Sequence, residues 1–332
     1  MSKKLVLGLS GGVDSAVAAG LLEERGFEVF GLFLDIGAEN ARQDAQNAAD
    51  FLKIPLKVLD IRETLEKNVC APFAAAYLRG ETPNPCILCN PKVKFKALLD
   101  YADEIGAEFI ATGHYARTEN GRLFKGKAAN DQSYMLCMLN NEQVSRLVLP
   151  LGELEKVQVR KLAEGMALPL ANKPDSMEIC FIPDGDYGEF IEKRGIVPPP
   201  GNFVDSEGKV LGRHRGVHRY TLGQRRGLGI AAGHRIFVSE IRCDTNEVVL
   251  SEGEVLFTET ALVCGVNWLR PQEGAFPADV RVRHSKLQTP ALITPDEGGA
   301  HIKFESPVRA PTKGQAAAFY SGDEVLGGGI IA

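Results

Sequence analysis

The chain has 332 residues, 44% of them hydrophobic and 24% charged, with a formal net charge of −5. That length exceeds one ordinary core and predicts two or three domains, while the composition excludes a disordered chain. The negative sum argues against nucleic acid only as a sum, because the distribution of charge decides what a surface attracts.

The opening MSKKLVLGLSGG offers about five apolar residues before its glycines, too few for a signal core or a membrane span, so a cytoplasmic protein without membrane association is expected. Short apolar runs then alternate with helical patterns: KLVLGL, DSAVAAGLLEERG, FEVFGLFL, ENARQDAQNAADFL, PLKVLD and a helix from about Arg62 to Arg79. Such βα repetition predicts a parallel sheet covered by helices on both faces, with ligands at the carboxyl ends of its strands. KVKFKALLDYADEIGAEFIATGH continues it as helix then strand, and Gly26 and Gly106 fall where helices should stop. Val157, Val159, Leu162, Ala163 and Met166 space out one more amphipathic helix between Glu155 and Leu168.

After the prolines at 198–200 the character changes. RIFVSEI, NEVVLSEG, ADVRVRHS, ALITPD, AHIKFES and QAAAFYSGDEVLGGGII alternate apolar and polar residues between turn signals, which predicts two small all-β units. Residues 209–239 hold seven Lys or Arg, three His and no acid, a stripe suited to phosphates that includes Arg225 and Arg226. The expected architecture is α/β, a parallel-sheet domain over 1–195, followed by a central β domain over 196–258 and a C-terminal β-barrel over 259–332.

Strand one runs straight into GLSGGVDS at 8–15 and then into a helix, a turn whose backbone N–H groups and helix dipole suit a phosphate or pyrophosphate. No Lys follows in the Walker position, and the spacing is not that of a dinucleotide fold. Seven cysteines, an odd number, argue against a disulfide framework. The one Cys-x-x-Cys pair, Cys86 and Cys89 in TPNPCILCN, follows two Xaa-Pro units. Asn90 and Pro91 then read as N-cap and first helical residue, which would place Cys89 at a helix N-terminus near Lys92, Lys94 and Lys96 and lower its thiol pKa. Cys180, in MEICFI, is the nearest candidate for a third sulfur, whereas Cys70, Cys137, Cys243 and Cys264 read as buried small hydrophobes.

SGGVDS matches the PP-loop of ATP pyrophosphatases. Together with TPNPCILCN, GHYAR at 113–117, DQSY at 131–134, EICFI at 178–182 and YTLGQRRGLGI at 220–230, in that order, it resembles the tRNA-specific 2-thiouridylase (MnmA, TrmU) family over nearly the whole chain. The resemblance implies a PP-loop domain followed by two β domains. It also implies a reaction in which ATP, with Mg²⁺, adenylates the C2 oxygen of the wobble uridine in tRNAs for Lys, Glu and Gln, and sulfur then displaces AMP. By the same resemblance Gly8, Leu9, Ser10, Gly11, Gly12, Val13, Asp14, Ser15, Leu34 and Gly113 hold the nucleotide, and Asn84, Pro85 and Cys86 face the target base. His114, Asn130, Asp131, Gln132, Arg283, His284 and Gln315 touch tRNA. Cys89 matches the family's nucleophile and Cys180 its persulfide carrier, fed by a cysteine desulfurase relay.

This sequence departs from the family at Cys86, where many members have Asp, and the segment after Leu34 is short. With that departure, the three thiols Cys86, Cys89 and Cys180 are expected to hold a 4Fe-4S cluster whose free iron binds sulfide. The other expectation keeps Cys180 as persulfide and Cys89 as the thiol that releases its sulfur. A different PP-loop ligase acting on tRNA is the alternative function.

Overall fold

Strand β1 (Lys3–Gly8) is the middle of the N-terminal sheet, and its Leu5, Val6 and Leu7 are fully buried because helices cover both faces. Each such side chain contributes about 2 kcal/mol by leaving water. The computed structural model describes residues 2–127, 129–174, 178–285 and 287–332. After β1 come α1 (Val13–Glu24), β2 (Phe27–Asp35), α2 (Glu39–Leu52) and β3 (Leu56–Asp60). A long helical stretch follows, built from α3 (Arg62–Leu65), a π-helical turn (Glu66–Cys70) and α4 (Ala71–Leu78). A second comprises α5 (Pro85–Cys89), another π-helical turn (Asn90–Lys94) and α6 (Phe95–Ile105), ended by Gly106 in the left-handed conformation.

The chain continues through β4 (Phe109–Ala111), the hairpin β5 (Ala116–Glu119) and β6 (Arg122–Lys125), α7 (Asn141–Ser145), β7 (Leu147–Val148), α8 (Lys156–Gly165) and α9 (Tyr187–Glu192). The sheet order is β3-β2-β1-β4-β7, all parallel. Connections leave β1 toward β3 on one side and return at β4 on the other, so the order reverses between β1 and β4. A crevice opens at such a reversal outside the carboxyl ends of the strands. The turn after β1 and the GHYAR segment after β4 meet there.

The β half begins with β8 (Gly201–Val204), β9 (Val210–His214), β10 (Phe237–Arg242) and β11 (Glu247–Ser251), a sheet ordered β10-β11-β8-β9. The last six strands are β12 (Phe257–Trp268), β13 (Phe276–Arg281), β14 (Thr289–Pro295), β15 (Gly299–Arg309), β16 (Ala316–Ser321) and β17 (Glu324–Ile331). They close into a barrel, since β12 pairs with both β15 and β17. The β5–β6 hairpin joins that sheet through Glu324 opposite Phe124. One core cluster therefore runs from Phe95 and Leu98 through Tyr134 and Leu136 to Ala316 and Tyr320. Among the described residues no helix is long and apolar enough to cross a membrane.

The helix expected to start at Asn90 starts at Asn84 instead. Asn84 Oδ1 accepts from the Cys86 N–H at 3.1 Å, and Pro85 takes the first helical position. The Asn90 side chain turns inward and donates to the Met135 carbonyl at 2.7 Å, so it caps nothing. Pro91 would break a regular helix, and the π-helical turn at that point widens the backbone around it.

Candidate functional site

The turn after β1 is held by its own hydroxyls. Ser15 Oγ donates to the Gly12 carbonyl at 3.0 Å and accepts from the Ser10 N–H at 3.2 Å. Gly12 starts α1 with no side-chain cap, leaving the leading N–H groups of the helix for an anion. Gly113 faces this turn so closely that a Cβ there would lie 2.9 Å from the Asp14 carbonyl carbon and 3.0 Å from the Ser15 nitrogen. Leu34 is the last residue but one of the neighbouring strand β2, so Gly8 to Ser15, Leu34 and Gly113 all lie toward the carboxyl edge of the sheet.

Two cations there escaped the sequence reading. A reciprocal cap between Glu155 and Gln158 fixes the first turn of α8, and Lys156 in that turn donates to Asp14 Oδ1 and Oδ2 at 2.7 and 2.8 Å. Tyr115 donates to Asp14 Oδ1 at 2.7 Å. Lys173 donates to the Gly11 carbonyl at 2.8 Å and to Asp44 at 2.5 Å. A helix N-terminus with two ammonium groups beside it suits a polyphosphate, supplying the charge that a Walker lysine would provide elsewhere.

Cys89 sits inside the helical stretch that begins at Pro85, where one π-helical turn starts, and packs on the apolar cluster of Leu65, Val69, Cys70 and Val93 together with Phe181. Its expected low pKa is corrected accordingly: burial pushes the thiol up to about 11, against the opposing pull of the Lys94 ammonium and backbone N–H. Cys86, two residues into the helix, is exposed. Cys180 is exposed on its segment, but protein around its sulfur raises its pKa, with Lys94 again opposing. Phe181 anchors this segment edge-on to Phe73 with ring centres 5.6 Å apart. Cys86, Cys89 and Cys180 thus share one neighbourhood with Lys94. Cys70, expected to be isolated, is a fourth thiol there, pushed up to about 12 by burial and then by Cys180 and Cys89. Cys137 is buried and Cys243 half-buried, but Cys264 is exposed on β12, not buried as expected.

Protonated Cys89 has a measurable consequence. Its alkylation rate in the free protein should climb about tenfold per pH unit above neutrality, because only thiolate reacts, and should show no plateau before about pH 11. Peptide-resolved mass spectrometry of alkylated protein reads this; a plateau near pH 8 would contradict the burial argument.

The residues expected at RNA divide in two. Asn84 and Pro85 frame the start of α5, and Asn84 Nδ2 lies 3.5 Å from Met135 Sδ. His114 is half-buried, pairs through Nδ1 with Thr112 Oγ1 at 2.7 Å, and is held well below its usual pKa by burial and then Lys94. Asp131 is an internal brace whose carboxylate accepts from Gly126 N–H, Ser133 N–H and hydroxyl, and Arg281. Gln132 accepts from the Tyr115 N–H, and the buried Asn130 Nδ2 has no partner among the described residues. Arg283 donates to the Ala310 carbonyl at 2.9 Å, Gln315 donates to the Thr82 carbonyl at 2.7 Å, and His284 is exposed beside Tyr134. These residues line the seam between the parallel-sheet part and the barrel.

The basic stripe is not continuous. Lys209, Arg213, Arg215, Arg225, Arg226, His234 and Arg235 are exposed, but His214 and His218 are buried and Arg219 is paired with Glu192 and Asp186. Among the described residues no three His, Cys, Asp or Glu side chains converge on one metal position. The three thiols are suitable cluster ligands by chemistry, but as placed they do not close into a ligand set.

Three family models match in sequence: a tRNA methyl transferase HUP domain over residues 3–184, a tRNA methyl transferase PRC-barrel domain over 188–252 and an aminomethyltransferase beta-barrel domain over 258–331. The chain is 44% identical to the tRNA-specific 2-thiouridylase MnmA of Carboxydothermus hydrogenoformans, over 99% of this chain and 97% of that protein. It is 41% identical to the Clostridium acetobutylicum protein of the same name, over 100% of each. Among solved structures it is similar to a 4-thiouridine synthetase in complex with RNA and ATP, at a TM-score of 0.37 and 20% identity, over 52% of this chain and 43% of that one.

Proposed function

The chain belongs to the tRNA-specific 2-thiouridylase family, and from that membership and the geometry of the turn and thiols we propose how it converts a wobble uridine of tRNA to 2-thiouridine. The observation that supports the reading is that Leu34, near the end of the strand beside β1 and its Ser10–Ser15 turn, packs on the same cluster as Cys89, whose sulfur neighbours those of Cys86 and Cys180. ATP binds with its phosphates on the N–H groups of α1 and on Lys156 and Lys173. Asp14 would hold Mg²⁺ once Lys156 turned from its carboxylate to the phosphates, and the ion would neutralise them as pyrophosphate leaves. The uridine C2 oxygen bonds to the α-phosphorus, the bond to the β-phosphate breaks, and C2 gains AMP as a leaving group.

Sulfur arrives as a persulfide on Cys180. Its terminal sulfur bonds to C2 and AMP departs. The Cys89 thiolate then attacks the Cys180 sulfur, the S–S bond to the transferred sulfur breaks, and 2-thiouridine leaves a Cys89–Cys180 disulfide for a thiol reductant to reopen. Burial that keeps Cys89 protonated at rest reserves it for this second half, after RNA has entered. Lys94, which opposes the burial effect at both sulfurs, favours the thiolates the reaction needs.

The exposed Cys86 thiol has no role in that scheme and favours the second reading, a cluster held by Cys86, Cys89 and Cys180. It would need those sulfurs to move together. RNA contacts are proposed for Arg225 and Arg226 and for the seam residues His114, Asn130, Gln132, Arg283, His284 and Gln315. Asp131 serves there as a brace.

The test is thiolation of an unmodified wobble-uridine tRNA with ATP, Mg²⁺ and a persulfide donor, alongside pyrophosphate release. Release that requires such a tRNA supports the proposal, and release that requires an amine instead points to a PP-loop ligase of another kind. Full thiolation by protein purified without oxygen and free of iron and labile sulfide would remove the cluster reading.

A further inference from the structure

Helix α9 is gripped from two directions. Toward the central β sheet, Glu192 accepts from both arms of Arg219, Nε at 2.8 Å and Nη2 at 2.7 Å, and its Oε1 also pairs with His218 Nε2 at 2.9 Å. Asp186, at the other end of α9, lies 3.3 Å from Arg219 Nη1. Tyr187 donates to the Arg219 carbonyl at 3.1 Å and stacks on Tyr77 at 4.5 Å. His218 and Arg219 close the short helical turn before the loop that carries Arg225 and Arg226, both exposed a few residues on.

Toward the parallel sheet, Phe190 of α9 packs on Phe181 with ring centres 5.3 Å apart, and both meet Phe73. Phe181 is the residue after Cys180. Ile182 and Ile191 share the buried cluster of Phe73 and Tyr77. A six-residue helix therefore touches the basic loop with its carboxylates and the Cys180 segment with an aromatic ring. A bidentate Arg–carboxylate fork fixes orientation as well as distance. Hydrogen bonds from Arg219 and then His218 hold the Glu192 carboxyl down at about 2, so it stays ionised for the Arg219 fork throughout neutral pH.

We propose that Glu192 is a positioning residue that couples tRNA engagement at the Arg225–Arg226 loop to the placement of Cys180. This rests on the reading of that loop as RNA-facing and of Cys180 as the sulfur carrier. RNA pulling on the loop moves Arg219, the fork transmits the shift to α9, and Phe190 passes it to Phe181. Two sites are coupled when an element with alternative placements is biased from both.

Glu192→Gln keeps the shape and removes the charge. In the native protein, tRNA should change the alkylation rate of Cys180 by about tenfold, within the usual range of such couplings. In Glu192→Gln that response should vanish, and thiolation kcat should fall about tenfold while KM for tRNA and tRNA-dependent pyrophosphate release stay within about twofold. Glu192→Asp, which retains the charge, should recover part of the response. A Glu192→Gln protein with the native tRNA response overturns the proposal, as does a parallel loss of kcat, pyrophosphate release and thermal stability, which would mark simple damage to the fold. Normal thiolation by Cys180→Ser would overturn the sulfur route instead. The Cys180 alkylation response, read on the native thiol, would still decide the coupling.

Discussion

Cys89→Ser is expected to bind tRNA and release a first equivalent of pyrophosphate at close to the native rate while freeing no thiolated tRNA, a loss of at least about 10³-fold in thiolation turnover. The argument is spatial. The proposed phosphate cradle is built from β1, the N-terminus of α1, Lys156, Lys173 and Gly113, none of which uses the Cys89 sulfur. Cys89 instead packs under Phe181, beside the Cys180 segment. Serine keeps the size of the side chain but cannot displace a sulfur–sulfur bond. In the persulfide scheme the expected product is an RNA bound through a disulfide to Cys180, visible as a mass increase on the protein and removed by dithiothreitol.

Cys86→Ser sharpens the same experiment. Its thiol is exposed and the persulfide scheme does not use it, so thiolation should stay within about threefold of native if sulfur moves from Cys180 with help from Cys89 alone. A loss as large as that of Cys89→Ser would favour three-thiol chemistry. Quantifying thiouridine in digested tRNA for both variants, with pyrophosphate release as the control, separates these outcomes.

What could be read in the sequence was what depends on local order. The βα alternation is a local signal, and so is the placement of GLSGGVDS between a buried strand and a helix. The register of the thiol helix was misread because two Asn-Pro pairs, Asn84-Pro85 and Asn90-Pro91, carry the same capping signature. Which of them caps was decided by Met135, whose carbonyl takes the Asn90 side chain from 45 positions downstream. The pKa of Cys89 followed that error, since a helix N-terminus lowers a thiol and an apolar pocket raises it. Lys156 and Lys173 were missed for a related reason: their partners Asp14 and Gly11 are 142 and 162 positions away. The charge run at 209–239 showed composition but not direction. Glu192, upstream of the run, turns Arg219 and His218 inward.

Gly11→Ala is expected to reduce pyrophosphate release by at least about 100-fold, at the scale seen when a preorganised donor set is lost, whereas Gly12→Ala should fold like the native protein. The two neighbours differ in what confines them. Gly11 has φ +73°, where an alanine costs about 1–2 kcal/mol. An added Cβ would also lie 2.5 Å from the Ala41 carbonyl oxygen and 2.9 Å from the Ala45 nitrogen, both backbone atoms of α2. Either the turn or α2 must move, and α2 carries the Asp44 that holds Lys173. Gly12 has φ −104°, and the nearest atom to its added Cβ is Ser10 Oγ at 3.4 Å. A folded Gly12→Ala protein that still fails to release pyrophosphate would show that the space above Gly12 belongs to the phosphates. Native activity in Gly12→Ala would move the nucleotide away from this turn. Thermal melting of both variants, with and without ATP, distinguishes the cases, because ATP should raise the melting temperature only where the cradle survives.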